Sequence, residues 1–247
     1  MPINNGYDEG AIIKSIAVAL ESFYTNLIAK VDKININNIM KRKNPYLFRA
    51  KAMNSAAQIV DAILAAFVSS SEETIFGNVF FEPIATTASQ GQKALAEGID
   101  IMVERENTIY AIAVKSGTSV FNADSKKKQE QNFMAAQKLA QQAKKRFVPI
   151  IGYSYGKKKS SDKGRPKFYT ELAGQAFWTE LTGDSQFYIK LIRFMGRMPE
   201  KYVEDFDQSY QKAANRLVKE FTNNFCNEDG SINWEKLVHF NSGSSNQ

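Results

Sequence analysis

The chain has 247 residues, 32 Lys+Arg against 26 Asp+Glu, a formal net charge of +6, 43% hydrophobic and 23% charged residues. That much apolar surface offsets chain entropy, which excludes disorder as the main state, and the length suits one large domain or a core with appendages. A single cysteine, Cys226, and a single histidine, His239, exclude an internal disulfide and a His/Cys zinc site, and leave only a polar-tail histidine for Ser–His–Asp chemistry.

The opening MPINNGYDEG has neither a basic n-region nor an apolar h-region, so a cytoplasmic location is expected. Residues 9–31 carry Ile12, Ile13, Ile16, Leu20, Phe23, Tyr24, Leu27 and Val31 at helical spacing. Asn44-Pro45 reads as a cap with proline at the first helical position, and the helix it starts is predicted to run to the serines at 69–71. The most apolar stretch, 59–68, is interrupted by Asp61 and is too short to span a bilayer, so no membrane partner is expected. Residues 78–84 read as a strand and 85–98 as a polar loop. Two β-rich segments, 98–103 and 108–115, are joined by the polar turn ERENT and predict a hairpin. A polar helix over 124–145 and a buried strand over 147–153 follow. The middle of the chain therefore reads α-β-β-β-α-β, and the C-terminal third reads as mainly helical over 172–194 and 202–225.

Resolved along the chain, the charge is local. Residues 115–167 hold 14 Lys+Arg against Asp124, Glu130 and Asp162, a net +11, so the remainder sums to −5. Two lysine runs, Lys126–Lys127–Lys128 and Lys157–Lys158–Lys159, with Arg165 and Lys167 beyond them, point to a phosphate-backbone partner, although either run alone is equally well a solvated surface. Asn122, Ser125 and Gln129 beside the first run are candidates to read bases or to cap the helix. The segment GKKKSSDKGRPK lacks Walker spacing, so no nucleotide cofactor is expected. Phe177 and Trp178 are spaced with Leu181 like a helix core.

Side-chain alternation along the hairpin puts Asp100 beside Ala113 and Lys115. An acid and a lysine at the ends of adjacent strands, among apolar neighbours, are costly unless paired or bound to something. The pair suits metal-assisted phosphodiester hydrolysis: the carboxylate holds a hard divalent cation and the lysine orients the attacking water.

The stretch GIDIMVERENTIYAIAVKSG resembles the signature of the PD-(D/E)XK nucleases, the superfamily of most Type II restriction endonucleases, with Asp100 matching the first Asp and Lys115 the Lys. SSEETIFGN, VKSGTSVFNADSKKKQEQNF and GQAFWTELTGDSQFY extend the likeness to a group of Type II restriction enzymes, over roughly 44–196. The resemblance implies a restriction-endonuclease-like α/β core, a mixed central sheet flanked by helices, with helical N- and C-terminal additions. It implies one nuclease domain over 1–247: a helical extension at 1–43, a catalytic core at 44–156 and a mostly helical part at 157–247. It further implies Mg²⁺-dependent cleavage of a specific double-stranded DNA site by a homodimer, with the Val114 carbonyl as a metal ligand and Glu73 as a helper.

Two positions depart from the signature. Ile99 replaces the proline that usually precedes the Asp, and Ala113 replaces the acid expected two residues before the lysine. Three explanations stay open. The acid has migrated to Glu130 in the following helix, on one face with Phe133, Met134 and Gln137; or a glutamate has been substituted, leaving a dead site; or the protein binds DNA without cutting. A repair or recombination nuclease of the same superfamily is a further alternative. Glu82 and Glu97 are weaker candidate ligands.

Overall fold

The computed structural model describes residues 2–158 and 168–244. Five helices come first, α1 (Glu9–Asp32), α2 (Ile36–Met40), α3 (Pro45–Ala50), α4 (Ala56–Val79) and α5 (Phe81–Ser89). The strands β1 (Gln92–Lys93), β2 (Ile101–Arg105) and β3 (Thr108–Lys115) lead through α6 (Ala123–Gln142) to β4 (Arg146–Tyr153) and β5 (Thr170–Ala173). Helices α7 (Gln175–Thr182), α8 (Phe187–Met195), α9 (Glu200–Phe225) and α10 (Trp234–Ser242) complete the order. The chain divides into two compact units, one of Met1–Phe23 and Phe76–Pro199, the other of Tyr24–Ile75 and Glu200–Gln247.

The first unit holds a mixed sheet in the order β1-β2-β3-β4-β5. β1–β2 and β2–β3 pair antiparallel, whereas β3–β4 and β4–β5 pair parallel. β3 is central and covered on both faces, so Ile109, Ala111, Ile112, Ala113 and Val114 are all buried rather than alternating. Helix α6 lays Phe133 and Ala136 over the face formed by Ala111, Ala113, Ile151 and Tyr153. The opposite face takes α7, and at Gly152 a side chain would run into the Phe177 ring, so glycine permits that close approach. Pro149 lies inside β4 without breaking it. Even-numbered residues of β4 turn their N–H groups toward β3, as the Ser154 N–H to Lys115 carbonyl bond at the strand's end shows. Pro149 therefore faces the other edge, where β5 begins to pair only at Ile150.

The second unit is helical. α9 buries Ala213, Leu217, Phe221 and Phe225 at four-residue intervals against Ile36, Met40, Ile59, Val60, Ile63 and Leu237.

The α-β-β-β-α-β order is present, but its first strand is not at 78–84. That run is helical across the end of α4 and the start of α5, with Phe76 and Phe80 stacked at 4.3 Å between ring centroids. A short apolar run satisfies both periods, and here the four-residue spacing of Phe76, Phe80 and Ile84 prevails. The first strand is instead β1, in the stretch expected to be a polar loop. The helix begun at Pro45 also stops early, at Ala50. Ser55 and Gln58 restart it as a capping box, the Gln58 N–H donating to Ser55 Oγ at 3.3 Å and the Ser55 N–H to Gln58 Oε1 at 3.2 Å. α4 then continues through the serines expected to end it, and there the Ser71 and Thr74 hydroxyls donate back to the carbonyls of Phe67 and Ser70 rather than competing for backbone N–H groups. α1 is long and apolar enough to cross a membrane, with an 18-residue window of mean hydropathy 1.3. Its Ile12, Ile16, Leu20, Leu27 and Val31 are buried in the protein, as a core helix requires.

Candidate active site

Asp100 immediately precedes β2 and is pinned from two sides. Its N–H donates to the Ile112 carbonyl at 2.9 Å, and its own carbonyl accepts from the Ala94 N–H at 3.1 Å. The hairpin register, Ile101 opposite Ile112, brings the next positions, Asp100 and Ala113, side by side. The carboxylate Oδ2 accepts the Val114 N–H at 2.6 Å and faces Lys115 Nζ at 3.4 Å. The expected meeting of Asp100 with Lys115 is thus observed. Both side chains are about a quarter exposed, at 24% and 26%, so a solute can reach them. Lys115 also lies 6.0 Å from the Phe121 ring centroid, close enough for a cation–π contact.

Within a strand, the N–H and C=O of one residue point to the same edge. Since the Val114 N–H reaches Asp100, the Val114 carbonyl turns toward that edge as well. Asp100 and this carbonyl are hard oxygen donors of the kind a magnesium ion takes. Ala113 places a buried methyl where a second carboxylate was expected. Among the described residues, no three Asp, Glu, His or Cys side chains form a metal-holding group. That donor set still suits Mg²⁺, which is held by one or two carboxylates while water and substrate phosphate complete its shell.

Helix α6 presents Gln129 to this end of the hairpin. The buried stripe is Gln129, Phe133, Ala136 and Ala140, and Gln129 Nε2 donates to the Gly98 carbonyl at 2.6 Å. Met134, expected on the sheet-facing stripe with Glu130, is 44% exposed. Glu130 lies one position round the helix, half-buried, and its charge acts on Tyr169. Glu73 is exposed on α4, within the second unit. Glu82 pairs with Lys93 at 3.4 Å and Glu97 with Lys128 at 3.2 Å.

Asn122 and Ser125 form the capping box of α6, each side chain accepting the other's N–H, at 2.8 and 3.0 Å. Lys127 is exposed, and Lys157 is exposed at the start of the second lysine run. Lys126 and Lys158 instead converge on Glu171 of β5, Lys126 at 3.0 Å, and Tyr153 donates its hydroxyl to the same oxygen at 2.8 Å. The Glu171 side chain is only 6% exposed. Burial, joined by the Glu171 charge, raises the Tyr153 hydroxyl well above the usual tyrosine range. Burial with Glu171 and Glu130 nearby pushes Tyr169 up to about 12. Nothing in the sequence pattern marks this hub, since Glu171 lies just ahead of the helix expected from 172. Lys159, Arg165 and Lys167 lie outside the described residues. Phe177 and Trp178 are core residues, the indole N–H donating to the Ser154 carbonyl at 2.9 Å.

A five-stranded mixed sheet flanked by helices, with an acid–lysine pair at the ends of its antiparallel hairpin, defines a protein with the restriction-endonuclease-like α/β fold. The family of the Type II restriction endonuclease EcoO109I matches residues 10–202, and the chain belongs to that family. No curated protein matches the chain. The expected resemblance to a Type II restriction endonuclease family holds, and so does the expected fold class.

Proposed function

We propose that the protein hydrolyses phosphodiester bonds in double-stranded DNA at a specific sequence, as a Mg²⁺-dependent Type II restriction endonuclease of the cytoplasm. The observation that carries this reading is the accessible Asp100–Lys115 pair on the hairpin of a chain of this family. Asp100 and the Val114 carbonyl would hold the cation, which when bound would neutralise charge on the scissile phosphate. Lys115, held beside Asp100, presents N–H donors to the attacking water and to the non-bridging oxygens as negative charge builds there. The Val114 N–H fixes the Asp100 carboxylate so that it needs no reorientation when substrate arrives. Glu130, half-buried on α6, is the candidate for a further ligand. One protomer carries one such pair, so cutting both strands of a palindromic site calls for a homodimer.

Ala113 and the lack of a three-acid group among the described residues favour a second reading, a DNA-binding protein that does not cut. Digestion of plasmid DNA in Mg²⁺ or Mn²⁺ by the protein and by Ala113→Glu separates the two. Discrete fragments from the unaltered protein support the nuclease, and a smear would turn the reading toward a repair or recombination enzyme. Fragments from Ala113→Glu alone would establish the silent form.

A further inference from the structure

Charge in the second unit is unevenly placed. Tyr24–Ile75 and Glu200–Gln247 together hold twelve Lys+Arg and twelve Asp+Glu, so the unit is neutral. Residues 30–51 nevertheless hold seven of those cations against one acid, Asp32. The balancing acids gather elsewhere, with Glu200, Glu204, Asp205 and Asp207 in the first turns of α9.

Five of the seven cations, Lys30, Lys33, Lys41, Arg42 and Lys43, line one groove of about 820 Å³ between the end of α1, α2 and α4. Among the described residues, no acid lines it. Its floor is apolar, with Ile63 buried and Phe67 half-buried, and Lys30 Nζ lies 5.7 Å from the Phe67 ring centroid. Asn38 and Ser70 add neutral polar groups to the rim. Among the described residues, none of the five cations forms an ion pair. Five neighbouring charges without counter-charges repel one another and concentrate anions at the groove. A row of spaced single negative charges relieves that repulsion, and amide and hydroxyl groups beside the cations are what phosphate oxygens accept from.

We propose that this groove binds the sugar–phosphate backbone of duplex DNA, as a contact separate from the Asp100–Lys115 site. The proposal rests on the DNA reading above and adds where a second set of phosphates is held. The contact is independent of base sequence, because cations on phosphates position the duplex without reading it.

Fluorescence anisotropy with a short duplex, without divalent metal and over a range of NaCl, tests it. The proteins compared are the unaltered chain, Lys33→Gln/Lys41→Gln/Arg42→Gln, and Lys33→Arg/Lys41→Arg. All three substituted positions are exposed, so folding is expected to survive, and circular dichroism checks this. The slope of log K against log salt is expected to shrink by about 0.9 for each phosphate no longer neutralised, and affinity at low salt to fall more than tenfold in the glutamine variant. The arginine variant keeps both. Unchanged slope and affinity in the glutamine variant, while the unaltered protein binds, would overturn the groove alone. Failure of the unaltered protein to bind duplex DNA at any salt would overturn the DNA reading and the groove with it. An unchanged slope with loss of self-association in sedimentation would show that the groove instead seats the acidic α9 of a second copy.

Discussion

Two regions of the molecule are rich in lysine, and they use it differently. Around α6 and β4 most of the lysines that approach the sheet are already engaged: Lys115 with Asp100, Lys126 and Lys158 with Glu171, Lys128 with Glu97, Lys145 with Glu104. Between α1 and α4 the groove cations have no such partners among the described residues. A paired lysine is held in place but has part of its charge cancelled, whereas an unpaired one releases counterions fully when a phosphate arrives. The first arrangement suits a site that must hold geometry for chemistry. The second suits a grip. Formal charge alone hides this contrast, since it counts paired and unpaired lysines alike.

Breaking the first region at its centre should have the largest consequence. Asp100→Ala and Lys115→Ala are each expected to reduce DNA cleavage by at least on the order of 10²–10³-fold while duplex affinity stays within a few-fold, as gel assays of cutting and binding would show. Retention of cutting would remove the chemical role assigned to the paired region. Next comes the packing that positions it. Phe133 is fully buried beneath α6, so Phe133→Ala is expected to destabilise the fold by about 3–5 kcal/mol in urea unfolding. Glu171→Gln exchanges one lysine arrangement for the other. It removes the charge on which Lys126, Lys158 and Tyr153 converge, at a cost of roughly 1–3 kcal/mol. In return it turns two paired lysines into groove-like free ones, so the salt dependence of DNA binding should steepen by the equivalent of up to about two phosphates. No steepening would mean that these lysines face away from DNA.

The smallest effect is one of pH. Tyr169 is raised from 10.0 to about 12 by burial and then by Glu171 and Glu130, and Tyr153 is raised for the same leading reason. Between about pH 10 and 12 the unfolded chain has lost these protons while the folded chain keeps them. The unfolded state then binds fewer protons, so stability is full below pH 10 and declines as pH rises toward 12. Tyr169→Phe should flatten that alkaline decline in thermal melts. An identical decline would assign it to other groups.

The hairpin and its acid–lysine pair were legible because strand alternation and a short polar turn leave one register that buries the apolar faces. The helices α1 and α6 were legible for similar reasons, the second helped by an asparagine that the structure shows to be its cap. Residues 78–84 were not, since aromatic and β-branched residues in a short run fit either period until their neighbours are known. The split between α3 and α4 is written in Ser55 and Gln58 as a capping box, but apolar spacing continues across it and masks the break. The buried stripe of α6 runs through Gln129 rather than its neighbour Glu130, about 100° further round, and apolar spacing alone does not separate the two. The groove was hidden by summation: the cations of 30–51 vanish into a total that includes the acids of α9. Glu171 was hidden because β5 is four residues long and offers almost no pattern.

The Asp100–Lys115 hairpin either cuts DNA or it does not. Plasmid digestion in Mg²⁺ by the unaltered protein beside Asp100→Ala measures this. Discrete fragments from the unaltered protein, lost in Asp100→Ala and absent with EDTA, are the predicted result. Intact plasmid under conditions where the protein binds it, or cutting that survives Asp100→Ala, would contradict it.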